Sequence, residues 1–430
     1  MSASGLKVLL SAYSCEPGRG SEPGVGWDWM RQIARYHDVW VITRANNRDA
    51  IERALAREPM PNVHWAYFDL PRYARFFKRG ARGVALYYYL WQAGIYPLAR
   101  RLERAHGFDL THHVTFGKYW APSFLGRLAP PFVWGPVGGG ESAPASFWPS
   151  FGARGIVYEA ARTAGRALED ADPFVRMTAR RAALGLAKTT ETARKLERLG
   201  CPAVKIYLEV SLAAEEIRTL AALPRHDAAP VRFLSTGRML HWKGFYLGIE
   251  AFARAARELG EAEYVLVGDG PERRKLERLA ARLGVAGQVA FRGVVPRAEA
   301  LRELARSDVV AHPSLHDSSG WVTIEAMAAG RPVVCLDCGG PGAQVSADAG
   351  IKVPVDTPQG AIAGVAAAMV RLGRDAELRR RMGDAGRRRV AEHFRSDHRA
   401  DLLAAIYDEV LARRRGELGH AAAPAAGARR

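Results

Sequence analysis

The chain has 430 residues, 48% hydrophobic and 25% charged, which is the make-up of a soluble globular protein and too long for a single core. Its 62 Lys and Arg outweigh 45 Asp and Glu to give +17, a balance that favours a phosphorylated ligand, a membrane surface or nucleic acid. Zinc-finger, basic-zipper and RNA-recognition signatures are missing, so nucleic acid is not an expected partner, and four cysteines are too few for a disulfide framework.

KVLLSAY (7–13) is the continuous apolar run of a strand buried on both faces. SCEPGRGSEPGVGWDW follows, with Gly18, Gly20, Gly24 and Gly26. Glycines after a first strand let the backbone approach a ligand, although the spacing does not fit G-x-G-x-x-G. DVWVITR (38–44) and VHWAYFDL (63–70) read as further strands, each after a helical stretch. Residues 72–106 change character. Arg72, Arg75, Lys78, Arg79 and Arg82 flank Phe76, Phe77, Tyr87, Tyr88, Tyr89 and Trp91. Two readings stand for them: an interfacial segment on anionic lipid, or a core helix whose aromatics face its own sheet.

DLTHHVTFGKYWAPS (109–123) reads as a strand and a loop carrying His112, His113 and Lys118, and PFVWGPVGGGESAP (131–144) as a strand with a Gly-rich end. Histidines at a strand end in an α/β sheet lie where ligands bind, so either is a candidate for a ligand or catalytic role; the alternative is a satisfied polar residue. Residues 153–200 are helical in pattern around a short strand, GLAKTTET, and KIYLEV (205–210) closes a first domain set at 1–220. AALPRHDAAP (221–230) has the composition of a linker. Alternation then restarts with RFLSTGR, a helix over 244–259, EYVLVGDG, a helix over 271–283, VAFRGVV, a helix over 297–306 and a strand over 308–314. The expected fold class is therefore α/β, two Rossmann-like domains with parallel sheets facing a cleft. The second spans 231–395, a helix over 396–413 crosses back to the first domain, and 414–430 form a disordered tail. Cys335 and Cys338, a single C-x-x-C at a strand end, read as buried thiols of a reducing compartment. MSASGLKVLL lacks the pattern of a signal peptide and the uncharged stretch 84–99 is too short for a span, so a cytoplasmic protein is expected.

Chemistry concentrates in HPSLHDSSGWVTIEAMAAGRP (312–332), a strand, a polar turn and a helix starting near Trp321. Asp317 and Glu325 bracket Ser318, Ser319 and Gly320, at the point where a helix start offers free N–H groups to an anion; an ordinary strand–turn–helix with a capping Ser is the alternative. STGRMLHWKGF sets Arg238 and Lys243 in a turn where two cations would neutralise a diphosphate, above all as it leaves. VGDGPERRKLE puts Gly268 and Gly270 at another strand end within reach of a ligand. There is no Asp-x-Asp at a strand end and no His/Cys set, so no metal is expected; arginine and lysine would do magnesium's charge work.

The ordered series GR…KG (237–244), VGDGP (267–271), FRGVV (291–295), HPS (312–314) and EAMAAGRPVV (325–334) resembles the retaining GT-B glycosyltransferases of family 4. GSEPGVGW (20–27) and FVWGPVGGGE (132–141) resemble a bacterial branch that builds surface polysaccharide. The resemblance implies transfer of a sugar from a nucleoside-diphosphate sugar, held by the second domain, to a hydroxyl of a lipid-linked or polysaccharide-precursor glycan held by the first. Neither a metal nor another cofactor is implied. It gives Arg238 and Lys243 the diphosphate, Glu325 the ribose hydroxyls and the amides of Ser319, Gly320 and Trp321 the phosphate. The segment around Arg292 would flank the base, and Gly268, Gly270 and Gly24 are further donor contacts. Asp317 matches the first acid of the family's Glu-x7-Glu pair, which contacts the donor sugar, and His112 or His113 would face the reacting sugar. The chain departs from the pattern in three places: Asp317 is a methylene shorter, Ser318–Ser319 replace a glycine and an aromatic, and Ala343–Gln344 stand where a Glu often follows GGP (339–341). The departures bear on which sugar is used. Rival readings are a sugar-nucleotide epimerase, a phosphorylase and a non-catalytic sugar-nucleotide-binding protein on the same fold. The place expected for the protein is the cytoplasm, peripheral on the inner face of the membrane if residues 72–106 meet anionic lipid.

Overall fold

A computed structural model describes residues 5–18, 21–78, 83–226 and 229–416; Gly20, Arg79, Arg82 and the expected tail from 417 lie outside them. The first half builds β1 (Lys7–Ser11), β2 (Asp38–Arg44), β3 (Val63–Phe68), β4 (Leu110–His113), β5 (Phe132–Val137), β6 (Ala182–Ala187) and β7 (Val204–Ile206). They form one sheet in the order β3-β2-β1-β4-β5-β6-β7. The second half builds β8 (Val231–Thr236), β9 (Ala262–Val267), β10 (Val289–Gly293), β11 (Val309–His312), β12 (Val333–Leu336) and β13 (Gly350–Val353), ordered β10-β9-β8-β11-β12-β13. Neighbouring strands pair in parallel throughout both sheets.

The period-two geometry of a strand sends alternate side chains to opposite faces, and here both faces are covered. Leu9 enters one buried cluster while Val8 and Leu10 enter another. Phe233 and Leu234 divide in the same way in the second sheet. Each sheet reverses its order once, between β1 and β4 and between β8 and β11. Such a reversal opens a crevice at the carboxyl ends of the strands.

The boundaries between the halves are set by packing. Val210, Leu212 and Leu220 lie in the core that covers β8 and β11, although the change of composition comes only at 221–230. Ala143, Phe147 and Phe151 insert into the core around Met239, Phe245 and Phe252 of the second half. In return, the helix Ser396–Arg415 packs Leu403, Ile406, Tyr407 and Val410 into the core beneath β1. The expected strand at GLAKTTET ends at Ala187, because the Thr189 side chain accepts the amide hydrogen of Thr192 and starts the helix Thr190–Arg198.

The basic aromatic segment divides. Tyr87, Tyr88 and Trp91 of the helix Val84–Gly94 are buried in the first core, whereas Tyr73 and Phe76 are 82% and 78% exposed and Leu86 is exposed as well. Among the described residues no helix is long and apolar enough to cross a membrane.

His112 shows what the returning helix secures. Its Nε2 lies 2.6 Å from the Gly135 carbonyl, which can only accept, so the proton sits there and Nδ1 accepts from the Tyr407 hydroxyl at 2.6 Å. Tyr407→Phe leaves that buried nitrogen without a donor and should lower stability by about 1–3 kcal/mol in urea unfolding, with the fold retained.

Candidate active site between the two sheets

Where the two crevices meet lies a cavity of about 600 Å³, walled by both halves of the chain. On the first-domain side, β5 runs into Gly138–Glu141. Glu141 Oε2 accepts the Gly139 amide at 3.0 Å, and Oε1 accepts the hydroxyls of Thr189 (2.6 Å) and Thr192 (2.9 Å). This buried carboxylate therefore shapes the glycine loop. A Cβ at Gly140 would sit 2.5 Å from Thr192 Cα, so the loop closes only without a side chain there. Arg166 donates to the carbonyls of Gly139 and Glu141 and to Ser142, and Arg162, one helical turn earlier, donates to Glu141 O at 2.8 Å. Lys118 lies over the rings of Phe116 (5.0 Å) and Trp120 (4.8 Å).

Gly24 and Gly26 lie within the helix Ser21–Ile33, which starts where the sequence suggested an open glycine loop. A Cβ on Gly26 would meet Ser14 O at 2.0 Å; its absence lets the helix press onto the end of β1. In the same helix Glu22 accepts the Phe116 amide at 2.5 Å and borders the cavity.

The second-domain wall is organised by Asp317. Lys243 closes a turn, His241–Lys243, held against the end of β11: Gly244, at φ 67°, would put a Cβ 1.8 Å from Pro313 O. From there Lys243 Nζ reaches Asp317 Oδ2 at 2.5 Å, and His312 Nε2 donates to the same oxygen at 3.1 Å. Asp317 Oδ1 accepts the amides of Ser319 (3.3 Å) and Gly320 (3.2 Å), just ahead of the helix Trp321–Ala328. Burial alone would raise the carboxyl's pKa; the His312 hydrogen bond and the Lys243 charge more than offset that and hold it well below the usual carboxylate range. Gly320, at φ 56°, packs against Gln344, whose amide oxygen lies 2.5 Å from the Thr323 hydroxyl and whose amide nitrogen bonds Ser319 O.

Other residues singled out from the sequence lie around this cluster. Arg238 follows β8 and is exposed, without an ion pair among the described residues. Glu325 binds Arg297, and Arg292 pairs with Glu303 at 3.3 Å. Trp321 is partly exposed at the helix start. Gly268 and Gly270 are explained by contact between backbones: a Cβ on either would meet Gly237 O at 2.0 Å or Met239 O at 2.4 Å, so these glycines seat the β9 turn on the β8 turn. His113 is buried with Nε2 2.9 Å from the Tyr88 hydroxyl, and neither it nor His112 borders the cavity.

The histidine that does border it is His316. Arg162 donates to its Nε2 across the domain boundary, so the imidazole is neutral with its proton on Nδ1. Burial, then the charges of Arg162 and Arg166, lower its pKa to about 3. Sequence reading missed Arg162, Arg166, His316, Gln344 and Arg297. The four-residue spacing of the two arginines and the adjacency of His316 to Asp317 were the available signals.

Residues 222–389, which carry Arg238, Lys243, Asp317 and Glu325, match the family model described as glycosyl transferases group 1. The matched segment lies in the second half of the chain. The chain is similar to 2-deoxystreptamine glucosyltransferase of Streptomyces kanamyceticus, 31% identical over 207 residues, covering 47% of this chain and 51% of that protein. It is also similar to the lipopolysaccharide core biosynthesis glycosyltransferase LpsD of Rhizobium meliloti, 32% identical over 178 residues, 41% of this chain and 49% of that one. The match thus spans about half the length of these relatives. Over the whole chain the structure resembles sucrose-phosphate synthase from Thermosynechococcus elongatus, with a TM-score of 0.59 and 19% identity over 95% of this chain and 100% of that one. The fold is GT-B, as the motif series of the group 1 domain implied.

The neutral histidines give the acid limb of stability its sign. Burial lowers His112 to about 4 and His113 and His316 to about 3, from 6.5. Below about 6.5 the unfolded chain takes up protons that the folded one refuses. Stability complete above that pH is therefore lost as pH falls towards 3–4, by up to about 1.4 kcal/mol per pH unit for each group. Urea unfolding at pH 7 and pH 5 should show the loss, with His316→Asn losing less than wild type on acidification.

Proposed function

We propose that the protein is a retaining, metal-independent glycosyltransferase that moves a sugar from a nucleoside-diphosphate sugar to an acceptor hydroxyl. The observation that carries this reading is the cation pair that follows β8, within the segment matched by the group 1 family model: Arg238, exposed and without an ion pair among the described residues, and Lys243, held by Asp317 next to the cavity-lining Ser318 and Ser319. Two positive charges in the turn after β8 suit a diphosphate, and their effect grows as negative charge develops on the leaving group. The bond from the anomeric carbon to the phosphate oxygen breaks while the acceptor oxygen bonds to that carbon on the same face, and the acceptor proton passes to the departing diphosphate. No protein nucleophile enters this scheme. Lys243 exchanges Asp317 for the diphosphate, and Asp317, still anchored by His312 and two amides, keeps the turn in place.

The first-domain wall, with Lys118 over Phe116 and Trp120, supports a glycan acceptor, because cations and aromatic faces together suit a sugar chain bearing negative charge. The relative named for lipopolysaccharide core biosynthesis supports a lipid-linked one. Lys243→Ala should lower kcat by about 10²–10³-fold in an assay with labelled UDP- and GDP-sugars, while circular dichroism stays at wild type. Unchanged turnover removes Lys243 from the mechanism. Transfer should persist in EDTA, and product analysis separates it from epimerisation or from binding alone.

Exposed Tyr73 and Phe76, next in sequence to Arg75 and close to Lys78, favour a second partner, an anionic membrane surface that brings the first domain to a lipid-linked acceptor. Tyr73→Ser combined with Phe76→Ser should reduce co-sedimentation with vesicles containing anionic phospholipid and leave the melting temperature alone. Equal sedimentation of variant and wild type would remove this surface from the reading.

A further inference from the structure

The helix Gly152–Ala171 carries its polarity inside out. Glu159 and Arg166 are only 1% and 8% exposed, whereas Val157 and Leu168 are 67% and 76% exposed and Ile156 and Tyr158 are exposed as well. With 3.6 residues per turn, the residues from Thr163 round to Ala161 share one arc of about 160°. That arc holds Ile156, Val157, Leu168 and alanines, all of them exposed, and Thr163 is its only polar member. A surface helix ordinarily turns such a face to the core and its charges to water. Here the charges are committed to the inward side: Arg166 donates to the carbonyls of Gly139 and Glu141, and Glu159 meets Arg162 and His241. The apolar arc is left facing outward.

Each end of the arc bears a cation. Arg154 stands one turn before Val157, on the edge of the arc. Arg176, in the helix Pro173–Arg181, donates from Nε to the Asp170 carbonyl at 2.8 Å, which sets it against the last turn. Both arginines are exposed, and neither makes an ion pair among the described residues. Phe174, two residues before Arg176, is exposed as well. Apolar side chains bordered by arginine are what an interfacial helix offers to anionic lipid. A second copy of the chain fits less well, because a twofold contact along this helix would bring the arginine ends together in a chain of charge +17. The inward side of the same helix lines the cavity through Tyr158, Arg162 and Arg166, and Ala161 belongs both to that lining and to the arc. A bilayer under the arc therefore meets the rim of the cavity. We propose that the outward face of Gly152–Ala171 lies on an anionic phospholipid surface and holds the cavity mouth against it, where an acceptor carried in the lipid is presented. This contact is separate from Tyr73 and Phe76, and only its bearing on an acceptor rests on the reading given under the proposed function.

The test mixes the full chain with vesicles of phosphatidylcholine, with and without phosphatidylglycerol, and reads binding by co-sedimentation. Wild type should bind the vesicles that contain phosphatidylglycerol. Val157→Glu combined with Leu168→Glu should lower that partition coefficient by about tenfold or more at an unchanged melting temperature, since both side chains are exposed in the free protein. Arg154→Gln combined with Arg176→Gln should lose the preference for phosphatidylglycerol; a preference kept by that variant overturns the commitment to anionic lipid. The Tyr73→Ser, Phe76→Ser protein is measured alongside. If it loses binding while the Val157, Leu168 variant keeps it, the earlier surface stands and this one is wrong. Wild type that binds no vesicle removes both. Light scattering that finds a wild-type dimer, dissociated by V157E with L168E, assigns the face to a second copy and overturns the proposal. Transfer from labelled UDP- and GDP-sugars is assayed separately. Transfer without vesicle binding leaves the transferase reading and defeats this inference, and vesicle binding without transfer does the reverse.

Discussion

One carboxylate holds the second-domain side of the cleft together. Asp317 receives Lys243 from the turn after β8, His312 from the end of β11 and two amides from the loop that starts the next helix. A buried carboxylate without partners would be strongly unfavourable, so the three segments can meet here only in the arrangement that completes its shell. The backbone is shaped to the same point. The Asp317 carbonyl accepts the Gly340 amide at 2.7 Å, and a Cβ on Gly339 would lie 2.4 Å from that carbonyl. The short Asp therefore folds into its own turn, where a longer acid would extend beyond it. Lys243 is thus held in place before any ligand arrives, as the proposed transfer requires.

The opposite wall is held by an exchange of segments. Phe147 and Phe151 are buried in the second core, and the last helix is buried in the first. Between these anchors Tyr158 stacks on Trp242, with ring centroids 5.2 Å apart and planes 13° apart. Glu159 meets His241 at 3.2 Å, and Arg162 meets His316. The helix Gly152–Ala171 thus serves both domains: it lines the cavity together with the loops of the first half and is fixed by aromatic and polar contacts to the second-half segments that carry Trp242 and His316. Glu141 gives the glycine loop beside it the same rigidity through three hydrogen bonds.

Much of this was legible in the chain before any coordinates. Apolar runs alternating with amphipathic helices dictated parallel sheets covered on both faces, and the strand-end motifs singled out Lys243, Asp317 and Gly320 one by one, although only the structure shows them meeting. Those features depend on period-two and period-3.6 patterns and on turns of a few residues, all of which are local. Packing decided the rest. Glycines suggestive of a ligand loop turned out to seat one backbone on another at Gly26, Gly268 and Gly270. The aromatics of 72–91 divided between core and surface, which composition cannot distinguish. His112 is bound by Tyr407, 295 residues away in sequence, and Glu325 by Arg297, 28 away and on another helix. Such partners are chosen by how helices cross a sheet, and no local spacing records that choice.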